Sequence, residues 1–240
     1  MVVRTRRERL HDATREEIKS IARQHMAEQG AAAISLRAIA REMGLSAPAL
    51  YRYYNSRDEL ITALIVDAYN AIADAVEAAS RKPAPDDYGQ RAYVALMTYR
   101  EWALAHPADY MLILGNPIPG YHAPEGVTTP AAQRTIRVFL DLMQHAWREG
   151  RLNVPAEYVD ILPRFLPLIS DEQRYGTTIP HPLLEMVLSV WGQMHGLISL
   201  ELYHHLQPIV RDPGELYCFE VVALLTRLGL APRVSLRDEG

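Results

Sequence analysis

SLRAIAREMGLSAPALYRYYNSR, residues 35–57, decides how the rest of the chain is read. Leu36, Ile39, Ala40 and Met43 recur at i, i+3, i+4 and i+7, which places one apolar stripe on a helix. Ser35 stands just ahead of that stripe, where its hydroxyl caps the first unpaired amides. Gly44 ends the helix, because glycine takes the left-handed backbone that a tight turn needs. Leu45 goes under the turn. Ser46 caps a second helix with Pro48 in its first turn, where a missing N–H removes no bond. Leu50 and Tyr54, four apart, face inward, which leaves Ala47, Ala49, Arg52 and Tyr53 outward. A second helix of roughly seven to nine residues cannot stand alone, so its use lies in what it presents.

What it presents is a small-residue N-terminal end flanked by Tyr51, Arg52, Tyr53 and Arg57. Small residues permit close approach, and phenols and guanidiniums donate hydrogen bonds, a combination that suits insertion into the DNA major groove. The residues Ser35-Leu36-Arg37-x-Ile39-Ala40, Gly44-Leu45-Ser46 and Leu50-Tyr51-x-Tyr53-Tyr54-x-x-Arg57-x-x-Leu60 resemble the TetR/AcrR family of transcriptional regulators over about residues 12–65. Two positions depart from the family pattern: Arg57 replaces the usual lysine, and Tyr54 a frequent phenylalanine. The resemblance implies that Ser35, Arg37 and the turn Ser46, Ala47, Pro48 and Ala49 face bases or nearby backbone. It puts Tyr51, Tyr53 and Arg57 on phosphates, so that losing Arg57 flattens the salt dependence of binding by about one unit. Ala47 and Ala49 can touch only thymine methyls, so sequence choice falls on Arg37, Arg52 and DNA shape. The competing reading is a helical protein-interaction module that binds no DNA.

The chain has 240 residues, 49% of them hydrophobic, enough for a substantial core. A net charge of −4 sits poorly with a DNA partner until its distribution is counted. Residues 1–70 hold 11 Lys+Arg against 9 Asp+Glu, and the remainder 14 against 20. The basic excess therefore accompanies the hairpin. A single cysteine, Cys218, excludes an internal disulfide and fits a reducing cytoplasm. No apolar run reaches the length of about 18–20 residues that spans a bilayer, and MVVRTRRERL lacks the apolar core of a secretory signal.

The expected architecture is all-α. Residues 1–10 form a basic arm in which Arg4, Arg6, Arg7 and Arg9 either reach DNA or remain a solvated tail. Residues 11–60 form the helix-turn-helix domain, its hairpin at about 35–54; residues 61–230 form a helical effector-binding and dimerisation domain; 231–240 is a tail. Helix 1 is expected from Ala13 or Thr14 to Gln29, with Thr14 and Glu17 at capping-box spacing and Ile18, Ile21, Ala22, His25 and Met26 inward. The helix after the hairpin starts at Ser56 and runs to about Ser80, long enough to link the reading head mechanically to the helical domain. Further helices are read over 86–106, 107–114, 130–149, 155–169, 180–206 and 213–229. The Pro- and Gly-rich stretch 115–129 is a long loop, either a lid over a cavity or a plain connection.

Segment 180–206 is apolar on more than one side, and the last helix carries Leu216, Phe219, Val222, Ala223, Leu225 and Leu228. Both would bury their excess against the same pair of helices in a second subunit, giving a homodimer through about 180–206 and 213–229. Trp191-Gly192-Gln193-Met194-His195-Gly196 resembles the Trp-x-x-x-His-Gly signature of one TetR-family C-terminal domain type, which implies dimerisation and ligand binding. Gly192 and Gly196 would then permit close helix approach. On that basis Tyr99, Trp102, His106, Tyr110 and Met111 are candidate walls of an effector pocket, with Met97, Phe139, Met143, Trp147, Trp191 and His195. The effector would be small, largely apolar and hydrogen-bonding at one or two points. No nucleophile elbow, phosphate loop or dinucleotide fingerprint is present, which points away from an enzyme. The pairs His145/Glu149, His181/Glu185 and Glu201/His205 lack a third ligand at informative spacing, so neither metal nor cofactor is implied.

Overall fold

The computed structural model describes residues 5–156, 158 and 180–234. The described residues hold nine α-helices and no strand, in agreement with the all-α expectation. The helices are α1 (Arg6–Gln29), α2 (Leu36–Glu42), α3 (Ala47–Leu50), α4 (Arg57–Ser80), α5 (Tyr88–Ala105), α6 (Pro107–Leu114), α7 (Glu125–Arg148), α8 (His181–Leu202) and α9 (Pro213–Arg227). The helix expected over 155–169 lies almost wholly outside the described residues. The chain divides into two compact units, one of Met1–Asn70 with His106–Ala131, the other of Ala71–Ala105 with Ala132–Gly240.

In the first unit Leu36, Ile39 and Ala40 of α2, with Leu50 and Tyr54 around α3, join Ile18, Ala22 and Met26 of α1 and Leu60, Ile61 and Leu64 of α4 in one apolar cluster. Each buried Leu or Ile contributes about 1.5–3 kcal/mol, so this cluster holds the short hairpin helices where propensity alone would not. The polar network beside it ties three helices together. Lys19 of α1 donates to Asp67 of α4 at 2.5 Å, and Arg23 donates to both Asp67 and Asp109 of α6, each at 3.2 Å. Burial works against the Lys19 charge, but the carboxylates of Asp67 and Glu16 outweigh it and hold its pKa above the ordinary lysine value.

Several sequence expectations are corrected here. Helix α1 begins at Arg6, not near Thr14: Thr5 and Glu8 form a reciprocal capping box, while the Thr14 hydroxyl donates back to the Leu10 carbonyl inside the helix. Its first two turns extend beyond the apolar cluster, which is why the inward stripe starts only at Ile18. Inside α1, His25 is no purely packed residue, since its Nε2 meets Glu42 of α2 at 2.8 Å. Helix α3 has only four residues, and Tyr51–Tyr53 continue as a tight turn with the Tyr53 amide on the Leu50 carbonyl at 2.9 Å. Tyr54 must enter the core and Ser56 must cap α4 two residues later, which leaves no length for another α-turn. Helix α7 starts at Glu125 and carries Pro130 inside it, so the loop is shorter than 115–129. Within that loop Ile118 is buried in the head's apolar cluster, Tyr121 packs against it, and the Tyr121 hydroxyl meets Thr62 of α4 at 2.9 Å.

In the second unit α5, α8 and α9 are joined at Arg100. Its guanidinium forks onto Glu201 of α8 at 2.8 and 2.5 Å and lies over the ring of Tyr217 of α9. The Tyr217 hydroxyl donates to the Leu96 carbonyl of α5 at 3.0 Å. Burial pushes the Tyr217 phenol well above the ordinary tyrosine value, so it stays a neutral donor. Gly89 lies at a close crossing, where a Cβ would sit 2.3 Å from the Leu230 carbonyl oxygen. Residues Pro182–Leu202 are long and apolar enough by length and composition to cross a membrane, contrary to the sequence expectation. The helix nevertheless carries Glu201 in an ion pair and Gln193 bonded to Glu220 of α9 at 3.0 Å. Leu183, Leu184, Met186, Val187, Met194 and Ile198 on it are buried in the structure.

Candidate nucleic-acid interface

The hairpin of the first unit sorts its side chains by chemistry. Ser35 caps α2 by accepting the Ala38 amide at 3.4 Å, and Ser46 caps α3 by accepting the Ala49 amide at 3.4 Å. Gly44 between them takes φ +66°, the left-handed conformation that the turn requires. With these fixed, Leu50 and Tyr54 point into the core at 0% exposure, while Arg37, Ser46, Pro48, Tyr51 and Arg52 are exposed. Ser35, Ala47, Ala49 and Tyr53 are half-buried on the same hairpin.

Tyr53 is held by residues that the motif does not include. His11 stacks on its ring at 4.9 Å, and Arg15 donates to its carbonyl at 2.7 Å while its guanidinium lies 4.2 Å from the centre of the Tyr54 ring. The i, i+4 spacing of His11 and Arg15 puts both on one face of α1, which reading helix 1 from Ala13 or Thr14 concealed, but nothing in that spacing names Tyr53 as their partner. Arg57 is also engaged inside the head. Its Nε donates to the Ile34 carbonyl at 3.0 Å and its Nη2 to the Ala32 carbonyl at 3.0 Å, with the Ala31 carbonyl at 3.5 Å. Two of its three nitrogens are thus committed to backbone within the head.

Residues 18–64, which span this hairpin, match the family described as bacterial regulatory proteins, tetR family, and residues 94–224 match the tetracyclin repressor-like C-terminal domain. The chain belongs to the TetR family. The HTH-type transcriptional regulator Rv1816 of Mycobacterium tuberculosis is 34% identical over 205 residues, covering 83% of this chain and 86% of the relative. The crystal structure of SCO4313 aligns with a TM-score of 0.76 at 36% identity, covering 92% of this chain and all of that one. The structure of RolR with the ligand resorcinol shares the fold, with a TM-score of 0.51 at 18% identity over 94% of this chain and 96% of that one. The α2–α3 hairpin is this TetR regulator's helix-turn-helix.

The expected effector residues fall into both units of the regulator. In the second unit Tyr99, Trp102 and Met143 are buried, Phe139 and His195 half-buried, and Trp147 and Trp191 exposed. In the first unit Tyr110 is buried, Met111 half-buried and His106 exposed. Trp191 and His195 share a face of α8 as their spacing requires, with rings stacked at 5.7 Å. Among the described residues a Cβ added at Gly192 or Gly196 meets nothing within 4 Å, so neither glycine serves a close helix crossing there.

Proposed function

We propose that this regulator is a cytoplasmic homodimeric repressor that reads a palindromic operator and is released by a small, largely apolar effector. The observation that carries the DNA half is the hairpin's division of labour: apolar residues fill the head's core while Arg37, Tyr51 and Arg52 stand out from it. Arg37 and the turn Ser46–Ala49 lie against bases or adjacent backbone, Arg52 contributes to sequence choice, and Tyr51 and Tyr53 bind phosphates. Exposed Trp191, Leu200 and Phe219 on α8 and α9 support a twofold interface through these helices. Two heads would then meet major grooves separated by about 34–36 Å or a longer multiple.

The effector binds in the helical second unit, where Tyr99, Trp102 and Met143 supply aromatic and thioether surface. The ligand complex of RolR supports a small-molecule site in this fold. Helix α4 begins in the first unit and ends in the second, so a ligand that favours one course of α4 shifts the separation of the heads. A coupling of about 1–3 kcal/mol changes DNA affinity roughly 5–150-fold. Nothing in this scheme calls for catalysis.

The test is a gel shift on the DNA upstream of the protein's own gene, at two salt concentrations and against unrelated DNA. Wild type retards the specific fragment, and Arg37→Ala weakens that retardation by about 1–3 kcal/mol while relaxing sequence preference. If the protein binds no DNA even at low salt, the reading fails and a protein-interaction module takes its place.

A further inference from the structure

The turn that joins α1 to α2 leaves carbonyl groups outside any helical ladder. Residues Ala31–Ala33 form a single 3-10 turn, and Ile34 lies before the Ser35 cap, so the Ala32 and Ile34 carbonyls precede the bonds of α2. Ile34 is 2% exposed, and a polar backbone group in such a place needs a partner. The partner is Arg57, the first residue of α4, whose planar fork reaches both carbonyls at 3.0 Å and the Ala31 carbonyl at 3.5 Å. A guanidinium offers several donors in fixed directions, which a single ammonium does not. The next residue after Ile34 is the α2 cap, and Arg37 lies within the first turn of α2. Arg57 therefore fixes the start of α2 against the start of α4.

We infer that Arg57 is a positioning residue for sequence reading, which sets Arg37 and the α3 turn in register through the carbonyls of residues 31–34 and does not itself hold a phosphate. This rests on the proposal that the hairpin reads DNA and deepens it. The two roles make opposite demands. A phosphate contact needs only charge, so lysine would serve, and its loss weakens binding to every sequence alike. A positioning contact needs the fork, and its loss blurs the geometry of base contacts while leaving the count of neutralised phosphates unchanged.

The experiment starts with in vitro selection of a DNA site by the full-length wild-type protein. Binding to that site and to unrelated DNA is then measured over a salt series for wild type, Arg57→Ala, Arg57→Lys and Arg57→Gln, with circular dichroism as a check on folding. Positioning predicts that Arg57→Ala loses roughly tenfold or more in affinity for the selected site. Its binding to unrelated DNA changes little, and the salt slope stays that of wild type. Arg57→Lys also loses discrimination, and Arg57→Gln, which keeps one amide donor, falls between wild type and alanine. Equal weakening on both DNAs, a salt slope reduced by about one, and a lysine variant indistinguishable from wild type would overturn the inference. So would unchanged discrimination in all three variants. If Arg57→Ala does not fold, the lysine and glutamine variants decide between the same outcomes. If wild type selects no site, it is the DNA-reading proposal that fails.

Discussion

Arg37, Tyr51 and Arg52 stand exposed on the hairpin of the first unit, whereas Trp191, Leu200 and Phe219 stand exposed on α8 and α9 of the second. Both sets sit on helices whose other faces are buried by the same kind of apolar residue. The hairpin turns hydrogen-bond donors and positive charge outward, which suits a polyanion. Helices α8 and α9 turn aromatic and aliphatic surface outward, which suits another apolar face. The difference teaches that the side a core does not use carries the chemistry on which the proposed partner of each region depends. The internal supports differ as well. Polar side chains in the head hold short segments through several shared bonds, whereas α5, α8 and α9 combine one forked ion pair, Arg100–Glu201, with single hydrogen bonds such as Tyr217 to Leu96 and Gln193 to Glu220.

That last contrast gives the largest expected effect. Arg100→Ala leaves the Glu201 carboxylate, 12% exposed, without its guanidinium and costs about 3–5 kcal/mol, read by urea unfolding. Replacing both partners, Arg100→Met with Glu201→Leu, recovers most of that loss; if the double variant is no better than the single, the pair is not the support described. Next comes the outer face. Phe219→Asp and Leu200→Glu, at positions 63% and 42% exposed, should each weaken self-association by roughly tenfold or more in sedimentation velocity while the monomer stays folded. Association untouched by both would remove α8 and α9 as the shared interface.

A smaller effect is expected in the head. The Tyr54 hydroxyl is buried with no hydrogen-bond partner among the described residues, and such a group costs about 1–3 kcal/mol of desolvation. Tyr54→Phe should therefore raise the melting temperature, with DNA affinity unchanged; a fall would mean that the hydroxyl is satisfied in solution. The smallest effect is a pH dependence in the second unit. Burial holds the His195 imidazole below its ordinary value of 6.5. The unfolded chain then takes up the proton first, so stability present above about pH 6.5 is lost as the pH falls through the folded value. Between about pH 7.5 and 5.5 the wild-type melting temperature should drop further than that of His195→Gln. Equal drops would assign the acid sensitivity to other groups.

The hairpin was legible because each of its constraints is local. Ser35, Gly44, Ser46 and Pro48 act on backbone within four residues of themselves, and such effects can be read from spacing. Leu60, Leu64, Ala68, Ile72 and Val76 were legible on α4 for the same reason, and all are buried. Contacts between distant residues were not. Nothing near Arg57 in the sequence announces that its guanidinium meets carbonyls at residues 32 and 34. Nothing in Lys19 and Arg23 names Asp67 and Asp109 as their partners. The start of α1 was missed although Thr5-x-x-Glu8 is a capping box, because the apolar stripe that draws attention begins only where the helix meets the core. Trp147 and Trp191 were read as pocket walls through the family resemblance, which carries no information on burial, and both are exposed.

The make-up of the first unit bears on how this regulator can be recombined with others. Its apolar cluster includes Leu112 and Ile118, and Arg23 takes Asp109 as a partner, so the head is completed by residues 106–131 that return to it after α5. A chimera that joins residues 1–70 to a foreign sensing module would carry the DNA-reading hairpin without those residues. Its builder would have to graft two separate stretches of chain, or supply from the new module side chains that fill the places of Asp109, Leu112 and Ile118.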